Sequence, residues 1–187
     1  GKKIIEALKK AAAKNIKIYI LLDGFGSLSF PSEVIDELSK IGIDLRIFSP
    51  FLSANSLYIG RRLHHKIIVS DAKIALIGGI NIADKYRGTE KHGAWLDYAV
   101  EINDENIAKS LQELCSDIYF KNRFIRRKKI SSSYENSAIA SVSVLQNDWL
   151  KRKNEVFKTY INKINTAQKE IIIVSSYFLP GKKLIRT

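Results

Sequence analysis

Apolar positions along this chain follow two alternating rhythms. Ile4, Ile5, Leu8, Ala11 and Ala12 recur at helical spacing and predict an amphipathic helix over 2–14. The apolar run 16–22 ends at the turn-forming cluster Asp23-Gly24-Phe25-Gly26-Ser27 and reads as a strand. Pro31 and Ser32 open a second helix that runs to Lys40 and stops at Gly42, and 43–48 is a second strand closed by Ser49-Pro50. The runs 64–69 and 73–77, joined by Ser70-Asp71-Ala72, predict a β-hairpin. A short helix is expected from Asn81, a polar loop over 87–94 and a strand over 95–102. Asn103-Asp104-Glu105-Asn106 caps a helix expected over about 107–120.

Helix and strand alternate, which predicts an α/β fold: a layered mixed β-sheet flanked by helices. The character changes at 121–137, where Lys121, Arg123, Arg126, Arg127, Lys128 and Lys129 precede Ser131-Ser132-Ser133. That stretch reads as a linker or surface loop. The alternation then resumes, with a strand expected over 138–144, a helix over 151–168 and a strand over 170–175. The expected organisation is most of one lobe over 1–122, a linker over 123–137 and the start of a second lobe over 138–187. A faint repeat agrees with it: Gly181-Lys182-Lys183-Leu184-Ile185-Arg186 echoes Gly1-Lys2-Lys3-Ile4-Ile5-Glu6. The chain contains no methionine and begins with Gly1, so a piece of a longer protein is expected.

Composition narrows the partners. An apolar content of 45% is that of a globular protein, and 187 residues can bury one ordinary core. Lys and Arg number 31 against 19 Asp and Glu, a net charge of +12 that favours a polyanion: nucleic acid, an anionic membrane surface or a phosphate-bearing substrate. No apolar run is long enough to cross a bilayer, and no signal peptide is visible. The single cysteine, Cys115, lies on a helical face with Leu111, Leu114, Ile118 and Tyr119, where packing explains it better than reactivity.

The candidate chemistry sits on the hairpin. His64 and Lys66, two residues apart on an apolar strand, point to one face, which holds a nucleophile beside a phosphate-binding cation. Gly78-Gly79-Ile80-Asn81 follows the return strand and comes back alongside. This layout suits phosphodiester chemistry without a metal or other cofactor.

The spaced pattern His64-x-Lys66-x4-Asp71-x6-Gly78-Gly79-x-Asn81 resembles the motif of the phospholipase D superfamily. The segments 22–27, 48–51, 78–84, 95–97 and 176–180 are similar to bacterial cardiolipin synthases in particular. The resemblance implies that His64 attacks phosphorus to form a phosphohistidine, splitting one displacement into two. Lys66 and Asn81 would donate to the non-bridging oxygens, and Gly79 would let backbone approach the phosphate. Asp71 is expected to hold the turn and the motif's geometry. Asp97 is expected to accept a hydrogen bond from the other nitrogen of His64 and fix its tautomer. His65 is expected to be structural and His92 a surface residue.

The family site uses two such histidines, the second as general acid for the leaving alcohol. The second motif is expected in cis beyond Thr187, or from a second copy of the chain in a homodimer. The implied activity is a phosphatidyltransferase at a bacterial cytoplasmic membrane, converting two phosphatidylglycerol molecules into cardiolipin and glycerol. The basic run at 121–129 serves equally as a headgroup contact or a solvated loop. The alternatives are a phospholipid hydrolase or a nuclease of the same superfamily, with nucleic acid as partner only in the latter case. A catalytically dead lobe that only binds membrane or protein is a third reading.

Overall fold

The computed structural model describes residues 1–48, 62–88, 92–120, 142–145, 147–148 and 153–175. The chain divides into two compact units, Gly1–Arg127 and Lys128–Thr187.

The first unit opens with α1 (Lys2–Ala12), β1 (Tyr19–Asp23), α2 (Ser32–Lys40) and β2 (Asp44–Phe48). β1 and β2 pair in parallel, from Tyr19 opposite Asp44 to Asp23 opposite Phe48, with α2 as the crossover that parallel pairing requires. Pro31 ends the approach to α2 in an extended conformation. The chain leaves α2 through Gly42 at φ +85, a backbone that glycine adopts without strain. Leu38 and Ile43, on either side of that turn, are among the most deeply buried side chains.

Three antiparallel strands follow: β3 (Ile67–Ser70), β4 (Ile74–Gly78) and β5 (Ala99–Ile102), in that spatial order. The short α3 (Asp84–Arg87) lies between β4 and β5 in sequence. α4 (Glu105–Tyr119) packs over β3 and β4, burying Ile107, Ala108, Leu111 and Leu114 on the side where Ala75 and Ile102 are also buried. Asp104 caps α4, its carboxylate accepting from the Asn106 and Ile107 N–H groups at 3.0 and 2.9 Å. Cys115 is half-buried on α4 and burial pushes its thiol upward, in keeping with a packing role.

The expected mixed sheet is thus found in two pieces, a parallel pair and an antiparallel trio, with no ladder between them among the described residues. The end of α4 reaches from one to the other. The Tyr119 hydroxyl donates to the Asp44 carbonyl at 2.8 Å, and its ring meets Tyr19 edge-on. The Arg46 guanidinium stacks 4.3 Å from the Tyr119 ring centroid. Burial, then the neighbouring Asp44 carboxylate, push the Tyr119 phenol up to about 12.

In the second unit, β6 (Asn147–Asp148) and β7 (Lys153–Asn154) form a minimal antiparallel pair leading into α5 (Glu155–Thr166). The helix expected over 151–168 is therefore shorter at both ends. The strand expected over 170–175 is not found among the described residues. Residues 171–175 belong to no ladder among the described residues, and Ile172 and Val174 are 78% and 74% exposed. Periodicity marks a segment's taste for a sheet, but only a neighbouring chain can take up its backbone hydrogen bonds. Of the strand expected over 138–144, residues 142–144 belong to no ladder among the described residues, while 138–141 and the linker expected over 123–137 lie outside them. Among the described residues no helix is long and apolar enough to cross a membrane.

Candidate active site at one end of the antiparallel sheet

The hairpin turns through Asp71 and Ala72, both at positive φ (51 and 54), with the Lys73 N–H donating to the Ser70 carbonyl at 2.9 Å. Positive φ at both central residues gives the turn whose twist matches the flanking strands. Asp71 is exposed there, seven residues from His64, which is about 20 Å of extended chain. The structure therefore separates Asp71 from the other motif residues.

Those residues gather at the opposite end. The Gly78 N–H donates to the Lys66 carbonyl at 3.2 Å, extending the β3–β4 pairing one step before β3. The Gly79 N–H donates to the Tyr98 carbonyl at 3.0 Å, extending the β4–β5 pairing in the same direction. The start of β3, the end of β4 and the approach to β5 thus converge, and they carry His64 and Lys66, Gly79 and Asn81, and Asp97 respectively. His64 is exposed and Lys66 half-buried. His64 precedes the strand in which it was expected, because the regular ladder begins only at Ile67.

The glycine pair is needed for this convergence. A β-carbon on Gly78 would collide with the backbone of Tyr98 and Ala99, and one on Gly79 with the Asp97 carboxylate. The Asp97 side chain lies over Gly79, its Oδ1 accepting from the Tyr98 N–H at 2.7 Å. No hydrogen bond or ion pair among the described residues joins it to His64.

The two expected phosphate donors already have partners. The Lys66 Nζ donates to the His64 carbonyl at 2.9 Å. The Asn81 Nδ2 donates to the Tyr86 hydroxyl at 2.7 Å. Tyr86 in turn meets Trp95 edge-on with ring centroids 6.0 Å apart, and the Lys85 ammonium lies 4.1 Å from the Trp95 ring centroid. The Trp95 N–H donates to the Lys85 carbonyl at 2.9 Å, closing α3 onto the approach to β5.

Behind the motif, the Asp23 carboxylate at the end of β1 takes three donors. They are the Gly26 N–H at 2.7 Å, the Leu63 N–H at 2.7 Å and the Arg62 Nε at 2.9 Å. The Arg62 guanidinium also lies 4.3 Å from the Phe25 ring centroid. Burial pushes the Asp23 carboxyl upward, but the Leu63 and Gly26 donors and the Arg62 charge outweigh it and hold the carboxyl below the usual range.

Sequence reading did not foresee the Asp23 or Tyr86 partnerships. Asp23 meets Arg62 and Leu63 across 39 and 40 residues, a separation that carries no periodic signal. For Tyr86 the signal was present: it stands five residues after Asn81, one turn into the helix expected there. His65 and His92 are both exposed. Among the described residues no three His, Cys, Asp or Glu side chains gather to hold a metal ion.

An exposed imidazole, an ammonium and a carboxamide are thus carried on adjoining segments around Gly79 at one sheet end. Comparison with known proteins places the chain in a family. The chain is 30% identical to cardiolipin synthase B of Escherichia coli K12 over 99% of its own length, covering 46% of that protein. It is 32% identical to the cardiolipin synthase of Clostridium perfringens SM101, again over 99% of its length, covering 40% of the relative. The chain thus spans somewhat under half the length of the curated relatives it matches. No solved structure gives a significant match. The family described as "Cardiolipin synthase, PLD-like domain" matches residues 1–118, a span that holds the whole convergence of His64, Lys66, Gly79, Asn81 and Asp97, and the chain belongs to that family.

Proposed function

We propose that this chain carries the nucleophile-bearing lobe of a phosphatidyltransferase that makes cardiolipin and glycerol from two phosphatidylglycerol molecules. The carrying observation is the meeting of His64, Lys66, Gly79 and Asn81 at one end of a three-stranded sheet. The names of the relatives, cardiolipin synthases, support cardiolipin as the product.

In the first step the His64 imidazole attacks phosphorus, the bond from phosphorus to the glycerol oxygen breaks, and glycerol leaves with a proton from a general acid. In the second, the free hydroxyl of another phosphatidylglycerol attacks the phosphohistidine. Its proton returns to the same group, the phosphorus–nitrogen bond breaks and His64 is restored. Lys66 and Asn81 turn from their present partners to the non-bridging oxygens, where charge gathers in both transition states. Asp97, half-buried over Gly79, takes up the second imidazole nitrogen on this reading. Asp71 keeps the turn and acts at a distance.

The general acid is a second histidine of the same motif, in further chain or in a second copy of this one. On this reading residues 1–122 are most of the first lobe, 123–137 a linker and 138–187 the opening of the second. The acceptor surface is an anionic bilayer, which a chain of net charge +12 approaches favourably.

The test is the full-length protein presented with phosphatidylglycerol vesicles and, separately, with single-stranded DNA. Cardiolipin and glycerol should appear together in equal amounts, and His64→Ala should abolish both. Phosphatidic acid and glycerol without cardiolipin would make it a hydrolase, and cut DNA with intact lipid a nuclease.

A further inference from the structure

We propose that Asp23 is a positioning residue for His64, holding the chain that enters the motif so that the imidazole presents one fixed approach to phosphorus. The proposal rests on the catalytic reading of His64 given above.

Asp23 is remote in sequence and contributes nothing to the convergence at the sheet end. Yet its carboxylate grips the two residues immediately before His64: Leu63 through its backbone N–H and Arg62 through its guanidinium. Its side chain is only 13% exposed, so the carboxylate itself is largely shielded from water even where the Arg62 side chain is not. The third donor, the Gly26 N–H, fixes the carboxylate itself by folding the turn after β1 around it. The Phe25 ring from the same turn covers Arg62. One short turn therefore supplies an acceptor and a lid for a segment some 40 residues away, and β1 anchors that turn through its parallel ladder with β2.

The need for such a clamp follows from where His64 sits. The regular ladder begins at Ile67, and the first cross-strand bond reaches only Lys66. Residues 62–64 lie in no ladder among the described residues. The Asp23 bonds to Arg62 and Leu63 therefore add to the Lys66 bond at the His64 carbonyl in fixing where the nucleophile stands. An exposed side chain ahead of its ladder samples many directions, and a displacement near 1 Å costs about a hundredfold in rate.

An amide in place of the carboxylate keeps the size but can accept at only one oxygen, so either Leu63 loses its acceptor at Oδ1 or Gly26 and Arg62 lose theirs at Oδ2. The experiment compares wild type, Asp23→Asn and Arg62→Ala in the full-length protein with phosphatidylglycerol vesicles. Thermal melting and the ¹³C-labelled histidine spectrum are recorded in parallel. The expected result for Asp23→Asn is a kcat lowered about 10- to 100-fold with KM within about threefold, because binding donors are untouched while the nucleophile wanders. The His64 resonance, assigned by His64→Ala, should broaden or shift while other histidines hold. Wild-type kcat in a folded Asp23→Asn protein overturns the proposal. If Asp23→Asn does not fold, Arg62→Ala decides: it leaves the carboxylate with both backbone donors, and should lower kcat several-fold with melting unchanged. Wild-type kcat there also overturns the proposal. The spectrum separates this idea from the reaction assigned above. Full activity in His64→Ala would sink the assigned reaction, whereas an unmoved His64 resonance in Asp23→Asn would sink only the clamp.

Discussion

The Asp97 carboxylate lies so close over Gly79 that a β-carbon there would stand 2.9 Å from Asp97 Cγ. At Gly78 the added carbon would instead meet the Tyr98 carbonyl and the Ala99 backbone. Two adjacent glycines are thus required for different reasons, and their alanine variants should differ in kind.

Gly78→Ala should lose stability, by about 3 kcal/mol, because neither strand of the β4–β5 ladder can yield without breaking pairing. Gly79→Ala should fold with a loss of about 1 kcal/mol or less, since a short side chain can swing aside. Its activity should nevertheless drop about 10- to 100-fold as Asp97 leaves its place beside the motif. Melting curves and kcat, measured on the same pair, check both statements. Equal losses of stability would refute the distinction.

Lys66→Ala should lower kcat by about a hundredfold or more, through loss of the charge that the proposed reaction turns toward the non-bridging oxygens. Tyr86→Phe should cost only a few-fold. The Asn81 amide keeps its donors there and loses only the hydroxyl that restrains it. Steady-state kinetics of both variants with phosphatidylglycerol vesicles provide the comparison. A larger effect from Tyr86→Phe than from Lys66→Ala would contradict the assigned roles.

Ala72→Gly should stabilise the hairpin by about 1 kcal/mol, because Ala72 is held at φ 54 where a side chain is strained. Thermal unfolding of the variant reads the gain directly. Unchanged kcat is expected alongside it, since the turn lies at the far end of β3 from His64.

Acid should weaken the protein partly through Asp23. Its carboxyl is held below the usual range in the folded state, so ionised Asp23 favours the native chain. That contribution is complete above the unfolded carboxylate pKa, near 3.9, and disappears as pH falls through the lower folded value. Asp23→Asn should therefore show a shallower loss of melting temperature as pH falls below about 4. Parallel acid limbs for the two proteins would rule this out.

Leu111→Ala should destabilise by about 2–5 kcal/mol, because the side chain is fully buried where α4 covers the sheet. Urea unfolding measures it.

Much of this was legible in the sequence wherever the cause is local. The helices at 2–12, 32–40 and 105–119 follow from period and caps, and Asp104 behaves as the spelling Asn103-Asp104-Glu105-Asn106 promises. The hairpin followed from two apolar runs around a short polar turn. What escaped depends on partners far off in sequence. Residues 170–175 carry the pattern of a strand but find no ladder among the described residues. The grip of Asp23 on Arg62 and Leu63 arises only once the parallel pair and the hairpin are both in place. For the site, the motif spacing led to His64, Lys66, Gly79 and Asn81 at one sheet end. It could not tell that Asp71, a member of the same pattern, stands at the other.

Neutral oxygens hold both waiting donors: a peptide carbonyl for Lys66 and a phenol for Asn81. A carbonyl occupies an ammonium without cancelling its charge, whereas a carboxylate would do both. Among the described residues no acidic group pairs with Lys66. On the proposed function, Lys66 therefore keeps its full attraction for an incoming anion while staying fixed in direction. A headgroup has to exchange one hydrogen bond for a stronger one and has no ion pair to break. On that reading, capture should be faster at low ionic strength and slow as salt is added.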